Sequence, residues 1–202
     1  MALTKLPIEM EELEPLTFTY RDLLTMERAG ILPADQHVEL LGGHLFVMTV
    51  NPPHAATVTH LSRRFHRFLA NRAQVINQSP LRLSDDLDDQ DLPQPDLMLV
   101  AGPEAVYSDH PRPKDVYLLV EVSDTTLKKD RQVKLPLYAQ IGVPELWIVN
   151  LVELRFEVYT NPRGRGYLAR EDHALTEIFA TQRFPDALHQ WLPDALLEQL
   201  AR

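Results

Sequence analysis

The segment "PQPDLMLV", residues 93–100, puts a charged side chain at the start of an apolar run. Asp96 directly precedes residues 97–100, which are all apolar and typical of a buried strand. A second run, "YLLVEVSD" at residues 117–124, carries Glu121 in the same way. A carboxylate that enters a core destabilises the fold unless it is paired, hydrogen-bonded or bound to a metal. The two runs therefore predict two buried strands and a common partner for two acids.

The bulk composition is that of a globular protein. The chain has 202 residues, 45% of them hydrophobic and 24% charged, which predicts a single domain over residues 1–202 with residues 1–16 as an irregular arm. It has no cysteine, which excludes disulfides and thiolate zinc sites. No secretion leader and no run of about 20 apolar residues is evident, so we expect a cytoplasmic protein without a membrane partner.

The net charge of −9 disfavours a broad electrostatic attraction to nucleic acid, because Lys and Arg dominate phosphate binding. It leaves room for a local basic groove, for which Lys128, Lys129 and Arg131 together with Arg63, Arg64 and Arg67 are candidates. A solvated surface explains these six residues equally well. An acidic chain also suits a protein that recruits divalent cations.

Periodicity around the two acidic strands predicts the remaining elements. "TYRDLLTMERAG" (19–30) indicates a helix capped by Thr19, and "HVELLGGHLFVMT" (37–49) a hairpin that turns at Gly42 and Gly43. Residues 54–72 form the longest helical pattern, and a strand pattern follows at residues 74–84, where Pro80 could break the strand. The acidic loop "DDLDDQD" (85–91) lacks the glycine and the terminal glutamate of a calcium loop, which favours a solvated loop.

The second half of the chain predicts a helix between strands. Residues 128–142 form a helical pattern with Val133, Leu137 and Ile141 on one face, strained at Pro136 and ended by Gly142. Strand patterns follow at 145–150, 154–160 and near 176–180, and residues 186–202 predict a helix interrupted at a proline. This order predicts an α/β sandwich with a mixed sheet, in which the strands before and after residues 129–141 run parallel.

If the two acidic strands are neighbours, Asp96 and Glu121 meet at one edge of the sheet. Two like charges at that range raise one pKa strongly unless a cation lies between them. Mg²⁺ or Mn²⁺ would suit the pair, because such ions take a few carboxylate oxygens and keep other positions for water and phosphate. A cation there would activate a water and neutralise charge on a phosphate. Asp96 could instead be a strand-end hydrogen-bond acceptor.

Lys134 is the first candidate for a positive charge near a bound phosphate. Asp130 and Lys134 are spaced i, i+4 and share a helix face, although an ordinary surface ion pair explains this spacing as well. Lys129, nearer the helix start, is a weaker candidate. Tyr138 either lines the site or is a tyrosine at the edge of the core, and the second interpretation is favoured.

These residues carry a resemblance. The succession "PDLML", "LLVEVSD" and "KDRQVKLPLYAQIGVPELWIVN" resembles the PD-(D/E)XK nuclease superfamily, and most closely its Uma-type restriction-endonuclease family, which is widespread in bacteria. The likeness extends from "VELLGGHL" to "LRFEVYT". It implies a restriction-endonuclease-like fold with an N-terminal helix and hairpin extension. It also implies Asp96 and Glu121 as metal ligands and catalytic residues.

One position departs from the superfamily. Its usual lysine stands two residues after the acid, where this chain has Ser123. The resemblance implies Lys134 as the substitute, reaching the same space from the following helix. It also marks His54 and Glu39 as auxiliary positions, with Asp130 beside Lys134. As an auxiliary residue His54 would be a metal ligand or a phosphate contact, but it could equally make a structural hydrogen bond, and Glu39 could equally be an edge-strand charge.

The sequence thus predicts a Mg²⁺- or Mn²⁺-dependent endonuclease that hydrolyses DNA phosphodiester bonds. The alternative is a non-catalytic interaction or regulatory module that keeps the fold, since fold does not establish function. A homodimer would suit a nuclease that cuts both strands, although no interface can be identified in the sequence.

Overall fold

The protein is built on a six-stranded mixed sheet. The computed structural model describes residues 15–33, 37–48, 50–69, 72–102, 107 and 109–200, so most of the arm expected at residues 1–16 lies outside the described residues. The sheet order is β3-β4-β5-β6-β7-β8, and every neighbouring pair is antiparallel except β5 and β6. Its strands are β3 (Ala73–Asn77), β4 (Leu97–Ala101), β5 (Val116–Ser123), β6 (Glu145–Asn150), β7 (Arg155–Arg163) and β8 (Gly166–Ala174). The predicted α/β sandwich and the parallel pair are confirmed.

The predicted N-terminal helix and hairpin are both present. Helix α1 (Tyr20–Arg28) is capped by Thr19, whose side chain accepts from the Asp22 backbone N–H while the Asp22 carboxylate accepts from Thr19. Strands β1 (Val38–Leu41) and β2 (His44–Val47) turn at Gly42 and Gly43. These glycines have φ of 55° and 76°, the left-handed values that a two-residue hairpin turn requires.

Both faces of the sheet are covered by apolar layers. Helix α2 (Pro52–Leu69) lies on one face, where Phe65, Trp147 and Trp191 form the centre of an aromatic cluster. The other face packs against the helical crossover between β5 and β6, through side chains such as Met98 and Leu119. Because side chains alternate along a strand, Glu121 falls on the same face as Leu119. Glu121, and Asp96 two residues before Met98, thus face the crossover.

The crossover is one helix with a widened turn. It consists of α3 (Leu127–Lys129), a π-helical turn at Asp130–Lys134 and α4 (Leu135–Gln140). The Leu135 N–H donates to the Asp130 carbonyl five residues earlier, as a π turn requires. Pro136 follows directly, and its ring excludes a regular helix there, so the widened turn relieves the expected strain. The turn also moves Val133 out of line with Leu137 and Ile141, leaving Val133 43% exposed, so the prediction of one common face was wrong for it.

The C-terminal segment departs from the predicted pattern. Helix α5 covers only Asp194–Leu200, and residues 186–192 are not helical. Strand β10 (His189–Gln190) pairs instead with β9 (Ile178–Phe179), and the Trp191 indole donates to the Phe179 carbonyl at 2.9 Å. Burial of the Trp191 ring among Phe65, Trp147 and Phe179 fixes this extended segment in place of a helix. Among the described residues, no helix has both the length and the apolar character needed to cross a membrane.

Candidate active site

Asp96 and Glu121 come from neighbouring strands. Asp96 ends the bend before β4, and the register that pairs Leu97 with Val120 brings it beside Glu121 on β5. Asp96 Oδ2 accepts the Val122 backbone N–H at 2.8 Å and the His54 Nε2–H at 3.1 Å. Asp96 Oδ1 is buried and has no hydrogen-bond partner in the described part of the chain. One oxygen therefore anchors the carboxylate, and the other remains available to a ligand.

Glu121 is held by the crossover helix. Lys134 Nζ lies 3.0 Å from Glu121 Oε1 and 3.1 Å from Oε2, and the Tyr138 hydroxyl donates to Oε1 at 2.6 Å. Lys134 also donates to the Gln94 carbonyl at 3.3 Å. Lys134 is only 1% exposed, so its pair with Glu121 is a buried ion pair and not the surface pair that its spacing with Asp130 had allowed.

The hairpin supplies a second carboxylate to Lys134. Glu39 on β1 is fully buried, and its Oε2 lies 2.8 Å from Lys134 Nζ in an ion pair without hydrogen-bond alignment. Lys129 donates to Glu39 Oε1 from the more exposed side. Glu39 is therefore not an edge-strand charge in water. It joins the hairpin to the crossover helix through two lysines.

Ser123 and Asp130 form a separate pair beside these groups. The Ser123 hydroxyl donates to Asp130 Oδ2 at 2.7 Å, and Thr126 donates to the same oxygen at 2.6 Å. The position that usually holds lysine in the superfamily is thus fully buried and used to anchor the π turn. Asp130 contributes charge near Lys134 but has no ion pair with it in the described residues.

A small cavity joins these groups. Its volume is about 50 Å³. A cavity needs about 10–15 Å³ to hold one water, so this one has room for a few water-sized ligands. The charged and hydrogen-bonding lining residues include Asn51, His54, Asp96, Glu121, Asp124, Lys129, Asp130 and Lys134. At its mouth, the Asn51 side chain donates to Asp124 at 2.6 Å and accepts the His54 backbone N–H at 3.0 Å. These two bonds fix the start of α2 over the cavity.

The electrostatics of the site are those of buried acids around one cation. Burial raises the pKa of Glu121 well above its ordinary value, and the neighbouring acids add to this against the opposing charge of Lys134. Burial alone would lower the pKa of Lys134, but Glu121 and Glu39 raise it on balance. Burial would likewise raise the pKa of Glu39, yet Lys134 and Lys129 lower it. Lys134 is therefore charged, and several acidic side chains surround it.

One protein oxygen, Asp96 Oδ1, is free for a metal ion, and Glu121 keeps one unused acceptor site. No three His, Asp or Glu side chains of the described residues form a ready-made metal cage. Mg²⁺, however, is usually bound through one or two carboxylates, with water and substrate phosphate in its other positions. Asp96 Oδ1 has no partner, and the Glu121 oxygens accept three hydrogen bonds where a carboxylate has about four acceptor sites. The donor set fits a hard divalent cation.

His54 and Tyr138 contact these carboxylates directly. Burial alone would lower the pKa of His54, but its hydrogen bond to Asp96 and the charge of that residue raise it. His54 therefore makes a structural hydrogen bond, while its Nδ1 lacks a partner among the described groups. Tyr138 was favoured as a tyrosine at the edge of the core. It is fully buried and donates to Glu121, which its spacing of four residues from Lys134 could have indicated.

The fold and the paired acids define a restriction-endonuclease-like α/β protein. A crystal structure described as a "putative nuclease belonging to DUF820", from Anabaena variabilis, has a similar fold with a TM-score of 0.63. It is 14% identical in sequence, and the match covers 92% of this chain and 99% of that one.

The family is set by the sequence match. The model of the Uma2 family, described as "Putative restriction endonuclease", matches residues 20–193, and the chain belongs to this family. The match includes every candidate site residue from Glu39 to Lys134. No curated protein matches the chain.

Proposed function

We propose that the protein is an endonuclease that hydrolyses DNA phosphodiester bonds with Mg²⁺ or Mn²⁺. The observation that carries the proposal is the arrangement of Asp96 and Glu121, two buried carboxylates on paired strands beside one cavity with the buried Lys134. The family supports the same class of activity. A purely structural ion pair would not explain a buried Asp96 oxygen without a partner.

Asp96 Oδ1 and Glu121 Oε2 are the groups that would hold the metal. When bound, such an ion lowers the pKa of an attacking water and neutralises negative charge on the phosphate. His54 and the Val122 N–H keep Asp96 in one orientation through its other oxygen. Tyr138 does the same for Glu121. Both carboxylates are thus pre-oriented, which keeps the cost of ordering them low when substrate binds.

Lys134 would stabilise the charge that develops on the phosphate. Its ammonium is within 3.1 Å of both Glu121 oxygens, so it would be near a metal ion held by that residue. A buried cation acts through a low dielectric and is not weakened by water. Glu39 shares the lysine with Glu121, and Asp130 adds negative charge that keeps it protonated. Glu39, His54 and Asp130 are therefore positioning residues.

The test is cleavage of plasmid and single-stranded DNA with Mn²⁺. Wild type should cut at least one of these, and Asp96→Asn and Glu121→Gln should abolish cutting. Lys134→Ala, assayed below its own melting temperature, should reduce cleavage by about 10²-fold or more, the scale for one well-placed donor. Lys129→Ala should have a much smaller effect, and Ser123→Ala little.

Two outcomes would change the interpretation. Equal cleavage by Lys134→Ala and wild type would remove the lysine from the mechanism and leave the nuclease assignment intact. A wild type that binds Mn²⁺ but cuts no nucleic acid would favour a non-catalytic interaction module on the same fold.

A further inference from the structure

Helix α2 is strongly basic although the protein is acidic. Its 18 residues include three arginines and three histidines and no Asp or Glu. The whole chain has 29 acidic against 20 basic residues, so an 18-residue helix free of carboxylates stands out. The arginines are Arg63, Arg64 and Arg67, which we call the arginine face.

The arginine face is not neutralised by neighbouring acids. Arg63 and Arg67 are exposed and Arg64 is partly exposed. None of the three lies within 4.0 Å of a carboxylate oxygen of the described residues, as the ion pairs of the molecule show. Lys129 and Arg131, by contrast, are paired with Glu39 and Glu157. Of the six basic residues suggested by the sequence, Lys128 and the three arginines of α2 are without an ion pair in the described part of the chain, and the three arginines share one helix.

Aromatic contacts order two of the guanidinium groups. Arg64 and Arg67 lie 5.8 Å and 5.5 Å from the centre of the Phe68 ring, which stacks on His189 at 3.3 Å. A guanidinium supported by a ring loses less side-chain freedom when it binds a phosphate. Burial lowers the pKa of His189, and the positive charges of Arg64 and Arg67 lower it further.

The arginine face begins a short distance from the cavity. His54, in the first turn of α2, lines the cavity, and a helix rises about 1.5 Å per residue. Arg63 and Arg67 therefore lie about 14 Å and 20 Å along the helix axis from His54. One strand of a DNA duplex rises about 3.4 Å per nucleotide, so these distances correspond to about four to six base pairs from a cut at the cavity.

We propose that the arginine face binds the phosphate backbone of duplex DNA beside the cleavage position. The inference rests on the proposed function for where the cut lies, and the binding itself needs no cleavage. Arginine suits phosphate because its planar fork can donate two parallel hydrogen bonds. Backbone contacts position the duplex without reading its sequence. The net charge of −9 opposes DNA over the rest of the surface, so binding depends on this one face.

The experiment measures binding of the full chain to a fluorescein-labelled duplex by anisotropy, in EDTA so that no cleavage occurs. Salt is varied from about 50 to 200 mM, because each neutralised phosphate adds about 0.9 to the slope of log affinity against log salt. Changing all three arginines to Gln should lower the slope by about 2.7 and weaken binding by at least about tenfold. The three Arg→Lys changes should keep most of the slope.

A control variant carries the same loss of charge elsewhere. Lys114, Arg163 and Arg165 are exposed and have no ion pair with the described residues. Changing these three to Gln should leave the slope nearly unchanged. Arg63→Gln alone should lower it by about 0.9 without disturbing the Phe68 stack, since Arg63 makes no contact with that ring.

Two results of the binding experiment would overturn the inference. One is an equal loss of slope in the two triple variants, which would mean that charge acts diffusely. The other is a wild type that does not bind the duplex at low salt. Failure of the proposed function would look different, because wild type would bind DNA through the arginine face and still not cut it with Mn²⁺. If the triple Arg→Gln variant instead cleaves DNA as well as wild type, the proposed function is supported and the inference about the arginine face is refuted.

Discussion

Replacing Lys134 by Met should destabilise the protein by about 3–5 kcal/mol at neutral pH, the cost of breaking a buried ion pair from one side. Methionine fills a similar volume but leaves Glu121 with only the Tyr138 hydrogen bond and Glu39 with only Lys129. With a slope of about 2 kcal/mol per M, urea unfolding should shift its midpoint down by about 1.5–2.5 M. Lys129→Met is the matched control, because it removes a cation from the same Glu39. Its side chain is 24% exposed, so we expect a loss of about 1 kcal/mol or less.

The pH dependence of this loss follows from the two carboxyls. Without Lys134, burial raises the folded-state pKa of Glu39 as well as that of Glu121 above their unfolded values. An acid with a raised folded pKa contributes stability below its unfolded pKa and loses it as pH rises through the folded pKa. The deficit of Lys134→Met should therefore be larger at pH 8 than at pH 5, as measured by urea titrations at both. A deficit that is equal at both pH values, or no larger than that of Lys129→Met, would refute the buried-pair reasoning.

Three further predictions concern the metal site, the buried acid Glu145 and the hydrogen bond of Ser123. Millimolar Mn²⁺ should raise the Tm of wild type by mass action and leave that of Glu121→Gln unchanged, as thermal denaturation would measure. Glu145→Gln, which changes a buried acid outside the cavity, should keep the response, and a response that persists in Glu121→Gln would place the ion elsewhere. Burial raises the pKa of Glu145 to about 7. Wild type should therefore lose about 1–3 kcal/mol of stability relative to Glu145→Gln as pH rises from about 4.5 to 7. Urea unfolding at several pH values measures this difference, and a constant difference would contradict the prediction. Ser123→Ala should lower the free energy of unfolding by about 1–3 kcal/mol, because Asp130 then keeps only Thr126 as a side-chain donor. A loss of cleavage larger than this folding defect explains would give Ser123 a role near the phosphate.

The sequence predicted the elements that local signals determine. Thr19 as a helix cap, Gly42 and Gly43 as a hairpin turn and the apolar strands beside Asp96 and Glu121 each depend on residues close in the chain. Local signals could not predict that residues 186–192 form extended chain and not the expected helix. Burial of the Trp191 ring against residues far away in sequence decides it, and tertiary packing overrides local helical periodicity there.

The position of the acids could be predicted, but their partners could not. Lysine is among the residues least often buried without a partner, so spacing alone favours an exposed Lys134. Glu39 contacts it from a hairpin 95 positions earlier in the chain, and no periodic pattern joins the two. The sequence predicted strain in the helix at Pro136 but not the π turn that relieves it.

Because its lysine lies on the crossover helix, the site depends on the hairpin as well as on the sheet. A lysine at position 123 would belong to the same strand as Glu121, and the site would then need little beyond the sheet. Lys134 instead bridges β5 to the hairpin through Glu121 and Glu39, so the site also depends on the docking of the hairpin. A divalent ion at Asp96 and Glu121 would compete with Lys134 for Glu121, while Glu39 would keep the lysine beside the cavity. Under the proposed function, Glu39 would then keep Lys134 from becoming an unpaired buried charge.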